Sequence, residues 1–163
     1  MNDEFSDESL RQLPPIPPIP DVVSAYLERL VLAFPAITAI WLFGSRANGT
    51  FRPDSDWDFL VFADRLTLDA LRAGTTYHWP EVDIFIVYDG IRFENPWPED
   101  GSKRGCLCNA RSPHTGTYVE SYCWLQRSTE PNYATYKSTR DPNHGRLNAY
   151  RIHPRSNRSA SEQ

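Results

Sequence analysis

The sequence predicts an α/β protein (α+β) in which a mixed β-sheet has helices on one face. Three short apolar segments have the length and composition of strands from the interior of a sheet: Ile37–Phe43, Asp56–Phe62 and Val82–Val87. A segment with helical spacing precedes the first strand, and a second one lies between the last two strands. Strands and helices in this order favour a core with one layer of sheet and one of helix.

The first predicted helix spans Val22–Phe34. Its apolar residues recur at helical spacing, namely Val22, Val23, Tyr26, Leu27, Leu30, Val31 and Phe34. Asp21 is the expected N-cap, and Pro35 is expected to end the helix. Before it, residues 1–20 predict a disordered acidic leader followed by an extended polyproline segment at Leu13–Pro20.

The connections between the three strands are also predictable. Arg46–Gly49 predicts a short helix or turn after the first strand, and Thr50–Ser55 predicts a loop. Leu66–Ala73 predicts a short helix, with Thr67 as a possible cap. Together with the first helix, these elements define an expected folded core at residues 21–90.

Beyond the third strand the pattern weakens. Residues 91–150 predict an irregular, β-containing extension, with a strand at Thr117–Leu125 and a strand or helix at Asn132–Thr139. Residues 151–163 predict a basic, disordered tail. The chain is therefore expected to have a leader, a core, an extension and a tail.

The strongest chemical signal is a pair of carboxylates at the start of the second strand. Asp56 and Asp58 are two positions apart, and side chains at i and i+2 of a strand point to the same face. Adjacent negative charges repel strongly unless a cation lies between them. Magnesium and manganese prefer such hard oxygen ligands, so this pair predicts a divalent metal site.

A Gly-Ser pair at the end of the first strand adds a candidate phosphate site. Gly44 can adopt backbone conformations that are closed to other residues, and Ser45 leads into the possible helix start at Arg46. Free backbone N–H groups at a helix start bind phosphate. A phosphate-binding turn beside metal-binding carboxylates predicts phosphoryl or nucleotidyl transfer.

These motifs support a family resemblance. Gly44-Ser45, ten intervening residues, Asp56-x-Asp58 and a later acidic residue, Asp83, resemble the signature of the polymerase-β-like nucleotidyltransferase superfamily. The compact form is similar to the minimal nucleotidyltransferases, often described as MNT or MntA-like. The resemblance implies the nucleotidyltransferase fold and transfer of a nucleoside monophosphate, with AMP favoured, from a nucleoside triphosphate such as ATP to a hydroxyl.

The resemblance also implies roles for individual residues. Asp56 and Asp58 would bridge two Mg²⁺ (or Mn²⁺) ions, and Asp83 would complete the site and help to deprotonate the acceptor hydroxyl. Gly44 and Ser45 would hold the β- and γ-phosphates. Arg46 and Arg52 would add positive charge near the leaving pyrophosphate.

The acceptor stays open at this point. Minimal members of the family often act as antitoxins that transfer AMP to a hydroxyl of a HEPN-type toxin, which would be a separate chain here. An aminoglycoside-type nucleotidyltransferase would perform the same chemistry on a small molecule. A non-catalytic module that binds nucleic acid or protein is the alternative from another class, and the presence of all three carboxylates disfavours it.

The composition limits the possible binding partners of the protein and its expected cellular compartment. Residues 1–102 hold 7 basic and 17 acidic side chains (−10), whereas residues 103–163 hold 10 and 4 (+6). This asymmetry permits a nucleic-acid partner, but pairing of the basic part with the acidic body is favoured. No apolar run approaches the length of a membrane span, and the acidic N-terminus does not resemble a signal peptide, so the cytoplasm is the expected compartment.

The cysteines offer a second candidate metal group. Cys106, Cys108 and Cys123, together with His114, have the ligand types of a zinc site. The Cys-x-Cys spacing is tighter than in usual zinc motifs, in which two or more residues separate the cysteines. Free or buried thiols are therefore the preferred interpretation.

Overall fold

A computed structural model describes residues 16–97, 104–107, 120–126, 129–138 and 145–154. These described residues contain three helices, α1 (Asp21–Ala33), α2 (Ser45–Asn48) and α3 (Arg65–Arg72). The strands are β1 (Ala39–Phe43), β2 (Trp57–Phe62), β3 (Val82–Val87), β4 (Arg92–Glu94), β5 (Arg104–Cys106), β6 (Glu120–Gln126), β7 (Tyr133–Ser138) and β8 (Leu147–His153).

The eight described strands form one mixed sheet in chain order, and the sheet closes because β8 pairs with β1. The pairs β2–β3 and β5–β6 are parallel, and the other neighbouring strands are antiparallel. The parallel pair β2–β3 is joined through α3, as a parallel connection requires a crossover segment. The predicted mixed α/β class is confirmed.

Alternate residues of β1–β3 belong to two different cores. Ile40 and Leu42, with their counterparts on β2 and β3, pack against α1 and α3. Trp41 and Phe43 point to the opposite side, which is the inside of the closed sheet. That inner core is rich in aromatic rings and contains Trp41, Phe43, Phe85, Phe93 and Tyr136, with Tyr122 and Trp124 packed against them. Both faces of the first three strands are therefore buried, which explains their continuous apolar runs.

Two helix starts differ from the sequence prediction. Asp21 is the first residue of α1 rather than its cap, and Pro20 takes the cap position without a side-chain hydrogen bond. α3 begins at Arg65, and its cap is Asp64, not Thr67. The Asp64 carboxylate accepts hydrogen bonds from the Thr67 N–H (2.9 Å) and hydroxyl (2.7 Å), so Thr67 is the donor in this cap.

The β-containing extension predicted for residues 91–150 includes β4–β7 and most of β8, which belong to the same sheet as β1–β3. β6 and β7 overlap the segments predicted at Thr117–Leu125 and Asn132–Thr139. The predicted disordered tail is wrong at its start, since residues 151–153 belong to β8. In β8 the polar residues Asn148 and Arg151 interrupt the apolar pattern, so the sequence does not predict a strand there. At the other end, Ile16 and Ile19 of the predicted leader pack against the core of α1.

Several predictions fall on residues 1–15, 98–103, 108–119, 127–128, 139–144 and 155–163, which lie outside the described residues. They include the acidic leader, the last part of the basic tail, Cys108 and His114. Of the other cysteines, Cys106 is buried in β5 and Cys123 is half-buried in β6. Within the described residues, no helix has both the length and the apolar character needed to cross a membrane.

Candidate active site

Asp58 and Asp83 lie next to each other on the parallel strands β2 and β3. They are partners in the strand register, so their side chains leave the sheet on the same face. Leu60 and Phe85, two residues further along each strand, belong to the inner core. Both carboxylates therefore point to the inner side at one end of the sheet, where each residue is half-buried.

Gly44 brings the end of β1 against the same carboxylates. Phe43 is the register partner of Asp58, and Gly44 follows it with φ 79° and ψ −161°, a conformation found almost only in glycine. A Cβ placed on Gly44 would overlap Asp58 Oδ2 and lie 3.2 Å from Asp58 Cγ. Glycine is therefore required here both for its backbone conformation and for the close approach of Asp58.

The turn after Gly44 is attached to the C-terminal strands. Ser45 opens the single-turn helix α2, and Asn48 ends it. The Asn48 side-chain amide donates to the Gly44 carbonyl (2.9 Å) and to the Asn148 carbonyl (3.2 Å). Its oxygen accepts the Asn148 backbone N–H at 2.8 Å. Asn48 thus joins the candidate phosphate turn to β8, about a hundred residues away in sequence.

Tyr136 of β7 reaches the turn from inside the closed sheet. The Gly44 N–H donates a hydrogen bond to the Tyr136 hydroxyl at 2.9 Å. Burial raises the pKa of Tyr136 to about 12, and the negative charge of Asp58 adds to this increase. Hydrogen bonds with Gly44 and Asn48 act in the opposite direction but are outweighed. The phenol is therefore neutral at physiological pH and lies beside both Gly44 and Asp58.

Asp56 lies at the rim of the site. It precedes β2, is exposed, and lines a cavity of about 350 Å³ together with Arg46, Trp57, Trp79 and Glu81. Trp57 packs with the helix-facing core, so this cavity opens on the other side of the sheet from Leu60 and Phe85. The structure thus brings Asp58 and Asp83 together and leaves Asp56 at the edge.

Arg46 is held by the loop that precedes β2. Its guanidinium donates to the carbonyls of Ser55 (2.9 Å) and Pro53 (3.3 Å). It also lies over the rings of Phe51 and Trp57, 4.5 Å and 4.7 Å from their centroids. These contacts stabilise the loop between α2 and β2. The other predicted arginine, Arg52, is exposed, and its Nε atom lies 3.9 Å from Asp54 Oδ1.

The side chains of Asp58 and Asp83 suit a magnesium or manganese ion. Such ions are often held by one or two carboxylates together with phosphate oxygens and water. In the part of the chain that the structure describes, no group of three or more His, Cys, Asp or Glu side chains is arranged to hold a metal. A metal site formed by all three carboxylates stays a prediction.

Comparison with known proteins identifies the segment that contains this site. Residues 27–79 match the family model described as Polymerase beta, Nucleotidyltransferase. The match supports assignment of this segment to the polymerase-β-like nucleotidyltransferase superfamily. The matched segment includes Gly44, Ser45, Asp56 and Asp58, and Asp83 lies just beyond its end. Searches of the curated proteins and of the solved structures each returned no match.

Sequence reasoning missed two residues that contact the phosphate turn of the nucleotidyltransferase domain. Tyr136 lies in the segment Asn132–Thr139, for which the sequence predicts a strand or helix but no contact with Gly44. Asn48 was treated as part of a short helix or turn. An asparagine four residues after the glycine is a weak signal, because only the fold shows that β8 lies beside it.

Proposed function

We propose that this protein is a metal-dependent nucleotidyltransferase that moves a nucleoside monophosphate, with AMP favoured, from a nucleoside triphosphate to a hydroxyl of a protein or small molecule. The observation that carries the proposal is the meeting of Gly44, Asp58 and Asp83 at one end of the sheet. Gly44 and Asp58 lie inside the segment that matches the nucleotidyltransferase family. Asp83 supplies the later acidic residue of the motif.

In the proposed reaction the acceptor oxygen attacks the α-phosphorus of the triphosphate. The new P–O bond forms as the bond to the β-phosphate oxygen breaks, and pyrophosphate leaves. Asp83 accepts the proton of the attacking hydroxyl, directly or through water. Gly44 and Ser45 orient the β- and γ-phosphates. Catalysis of this type consists mainly of positioning and charge stabilisation, so few side chains are required.

Asp58 and Asp83, with Asp56 at the rim, are the residues that would hold Mg²⁺ or Mn²⁺. When bound, such ions supply positive charge that offsets the charge on the phosphate oxygens. The partly buried position of Asp58 and Asp83 supports this role, because adjacent carboxylates away from bulk water repel each other more strongly. The cation would relieve that repulsion.

The acceptor class follows from the resemblance to minimal nucleotidyltransferases. A protein hydroxyl on a separate HEPN-type toxin chain would make this protein an antitoxin. An aminoglycoside-type acceptor would involve the same residues and the same bond changes. Cytoplasmic location, where nucleoside triphosphates and magnesium are abundant, belongs to the same proposal.

A non-catalytic module is the second candidate, and one contact favours it. The Gly44 N–H, which the enzymatic proposal assigns to phosphate, already donates to Tyr136. A domain that retains the fold for binding alone would tolerate such an internal contact. A carboxylate variant that stays folded but no longer transfers the nucleotide would support the enzyme and exclude the non-catalytic module.

The test is incubation of the protein with each α-³²P-labelled nucleoside triphosphate, Mg²⁺ or Mn²⁺, and cell lysate or an aminoglycoside panel. We expect label to transfer from one nucleotide, and Asp58→Asn and Asp56→Asn to reduce transfer at least about 100-fold while the fold is retained. Asp54→Asn is the matched control, because Asp54 is an exposed acid of the neighbouring loop. No transfer to any acceptor, or equal transfer in all variants, would contradict the enzymatic proposal.

A further inference from the structure

Tyr136 occupies the position of a ligand in the candidate phosphate turn. Its hydroxyl oxygen accepts the Gly44 N–H at 2.9 Å. Its ring is fixed in the inner core, with edge-on contacts to Phe43 (5.9 Å between centroids) and Tyr122 (5.1 Å). The residue is only 2% exposed. The hydroxyl is thus held at the turn by packing along the whole ring.

The same N–H is the donor that the proposed function assigns to a phosphate oxygen. A backbone amide has one hydrogen, so a strong, linear bond to a phosphate requires that its bond to the phenol be given up. Asp58 lies beside the phenol and beside Gly44. The phenol oxygen and a phosphate oxygen therefore compete for the Gly44 N–H, which lies next to Asp58 of the candidate metal site.

The remaining contacts of the turn do not involve this competition. Asn48 binds the Gly44 carbonyl and the backbone of Asn148, and all three bonds use atoms other than the Gly44 N–H. The turn can therefore stay attached to β8 when the phenol releases the amide. The hydrogen bond between the Gly44 N–H and the Tyr136 hydroxyl has to break before a phosphate oxygen can accept that N–H.

We propose that the Tyr136 hydroxyl is an internal competitor for the phosphate group, so that it lowers the affinity of the turn for a nucleoside triphosphate. This inference rests on the proposed function, since it takes the turn as the phosphate site. It assigns to the C-terminal strands a restraining effect on the nucleotidyltransferase domain.

Tyr136→Phe tests the competition, because phenylalanine retains the ring and removes only the hydroxyl. We expect the Kd of the variant for magnesium α,β-methylene-ATP to be about 2- to 10-fold lower than that of the wild type, the range set by one net hydrogen bond. Magnesium tripolyphosphate should show the same fold-change, because the competition involves phosphate and not the base. Isothermal titration calorimetry measures both.

Tyr150→Phe is the matched control. Tyr150 is also 2% exposed, and burial likewise raises its pKa to about 12, but it lies on β8 against Tyr133 in the helix-facing core. Its variant should bind both probes as the wild type does. A Kd in Tyr136→Phe that is unchanged or higher, while the wild type binds, would overturn the competition and leave the proposed function standing.

A second measurement does not require a nucleotide. Hydrogen exchange of the Gly44 amide, followed by NMR without ligand, should be faster in Tyr136→Phe than in the wild type and unchanged in Tyr150→Phe. Equal exchange in all three proteins would overturn the proposed contact. If exchange changes as expected but none of the proteins binds either probe, the turn is not the phosphate site, and the proposed function fails together with the competition.

Discussion

Gly44 and Gly49 are five residues apart and both have a positive φ, but they are constrained by different neighbours. Gly49 has φ 74° and would meet no atom within 4 Å if it carried a Cβ. Gly44 has φ 79°, and its Cβ would overlap the carboxylate of Asp58. Backbone strain applies at both positions, whereas the steric conflict arises only at Gly44. The pair therefore allows the two effects to be separated.

We expect Gly49→Ala to lower the free energy of unfolding by about 1 kcal/mol, the usual cost of a left-handed non-glycine residue. Gly44→Ala should cost about 2–4 kcal/mol, because strain in a region nearly exclusive to glycine adds to displacement of the Asp58 side chain. It should also abolish nucleotide binding. Urea denaturation measures both free energies, and equal costs at the two positions would show that the approach of Asp58 to Gly44 is not tight.

At the scale of single residues, the sequence was most informative where function depends on a local motif. Gly44, Ser45, Asp56 and Asp58 lie within fifteen residues, so their order and spacing were readable directly. The side chain of Tyr136 reaches the site from 92 residues away, and a contact between such distant residues depends on the register of the whole sheet. Local patterns carry no information about that register.

Helix α3 shows how a cap adds stability at the scale of one element. The Asp64 carboxylate accepts two hydrogen bonds from Thr67, and these bonds lower its pKa. We expect Asp64→Ala to lower the free energy of unfolding by about 1 kcal/mol at pH 7. Asp21→Ala is the control, because Asp21 begins α1 without such a cap bond, and its cost should be smaller.

The contribution of Asp64 should depend on pH. Its pKa is lower in the folded than in the unfolded protein, so the stabilisation is complete above the unfolded pKa, near 4, and is lost as the pH falls through the folded pKa. The difference in unfolding free energy between wild type and Asp64→Ala should therefore shrink between pH 5 and about pH 2. A constant difference over this range, measured by denaturant titration, would contradict the assigned cap.

Strands β1–β3 were predictable because both of their faces are buried, which gives long apolar runs. The later strands are harder to detect because β4 and β5 have only three residues each, and in β7 the inner residues Ala134 and Tyr136 alternate with Thr135 and Lys137. β8 combines the buried residues Ala149 and Tyr150 with Asn148 and Arg151, so it resembled a polar segment. Its position is determined by pairing with β1 and β7 rather than by its own composition.

At the scale of the whole molecule, both halves of the chain build the inner core. Trp41, Phe43 and Phe85 come from the nucleotidyltransferase segment or the strand just after it, and they pack against Tyr136 and Ala149 from the C-terminal strands. The predicted core at residues 21–90 therefore leaves one apolar face of its sheet uncovered unless β6–β8 are present. We infer that the described strands unfold as one cooperative unit.

Truncation inside β8 tests this cooperativity. A chain that ends at Asn148 loses Ala149 and Tyr150, which are 0% and 2% exposed, and most of the pairing between β8 and β1. We expect it to be less stable than the full chain by at least about 3 kcal/mol, the usual cost of deleting large buried side chains, and to lose a single sharp transition. A chain that ends at Pro154 keeps every described strand and is the matched control.

Thermal unfolding followed by both tryptophan fluorescence and far-ultraviolet circular dichroism provides the measurement. Coincident transitions at the same temperature in all three chains would show that the nucleotidyltransferase domain folds without closure of the sheet.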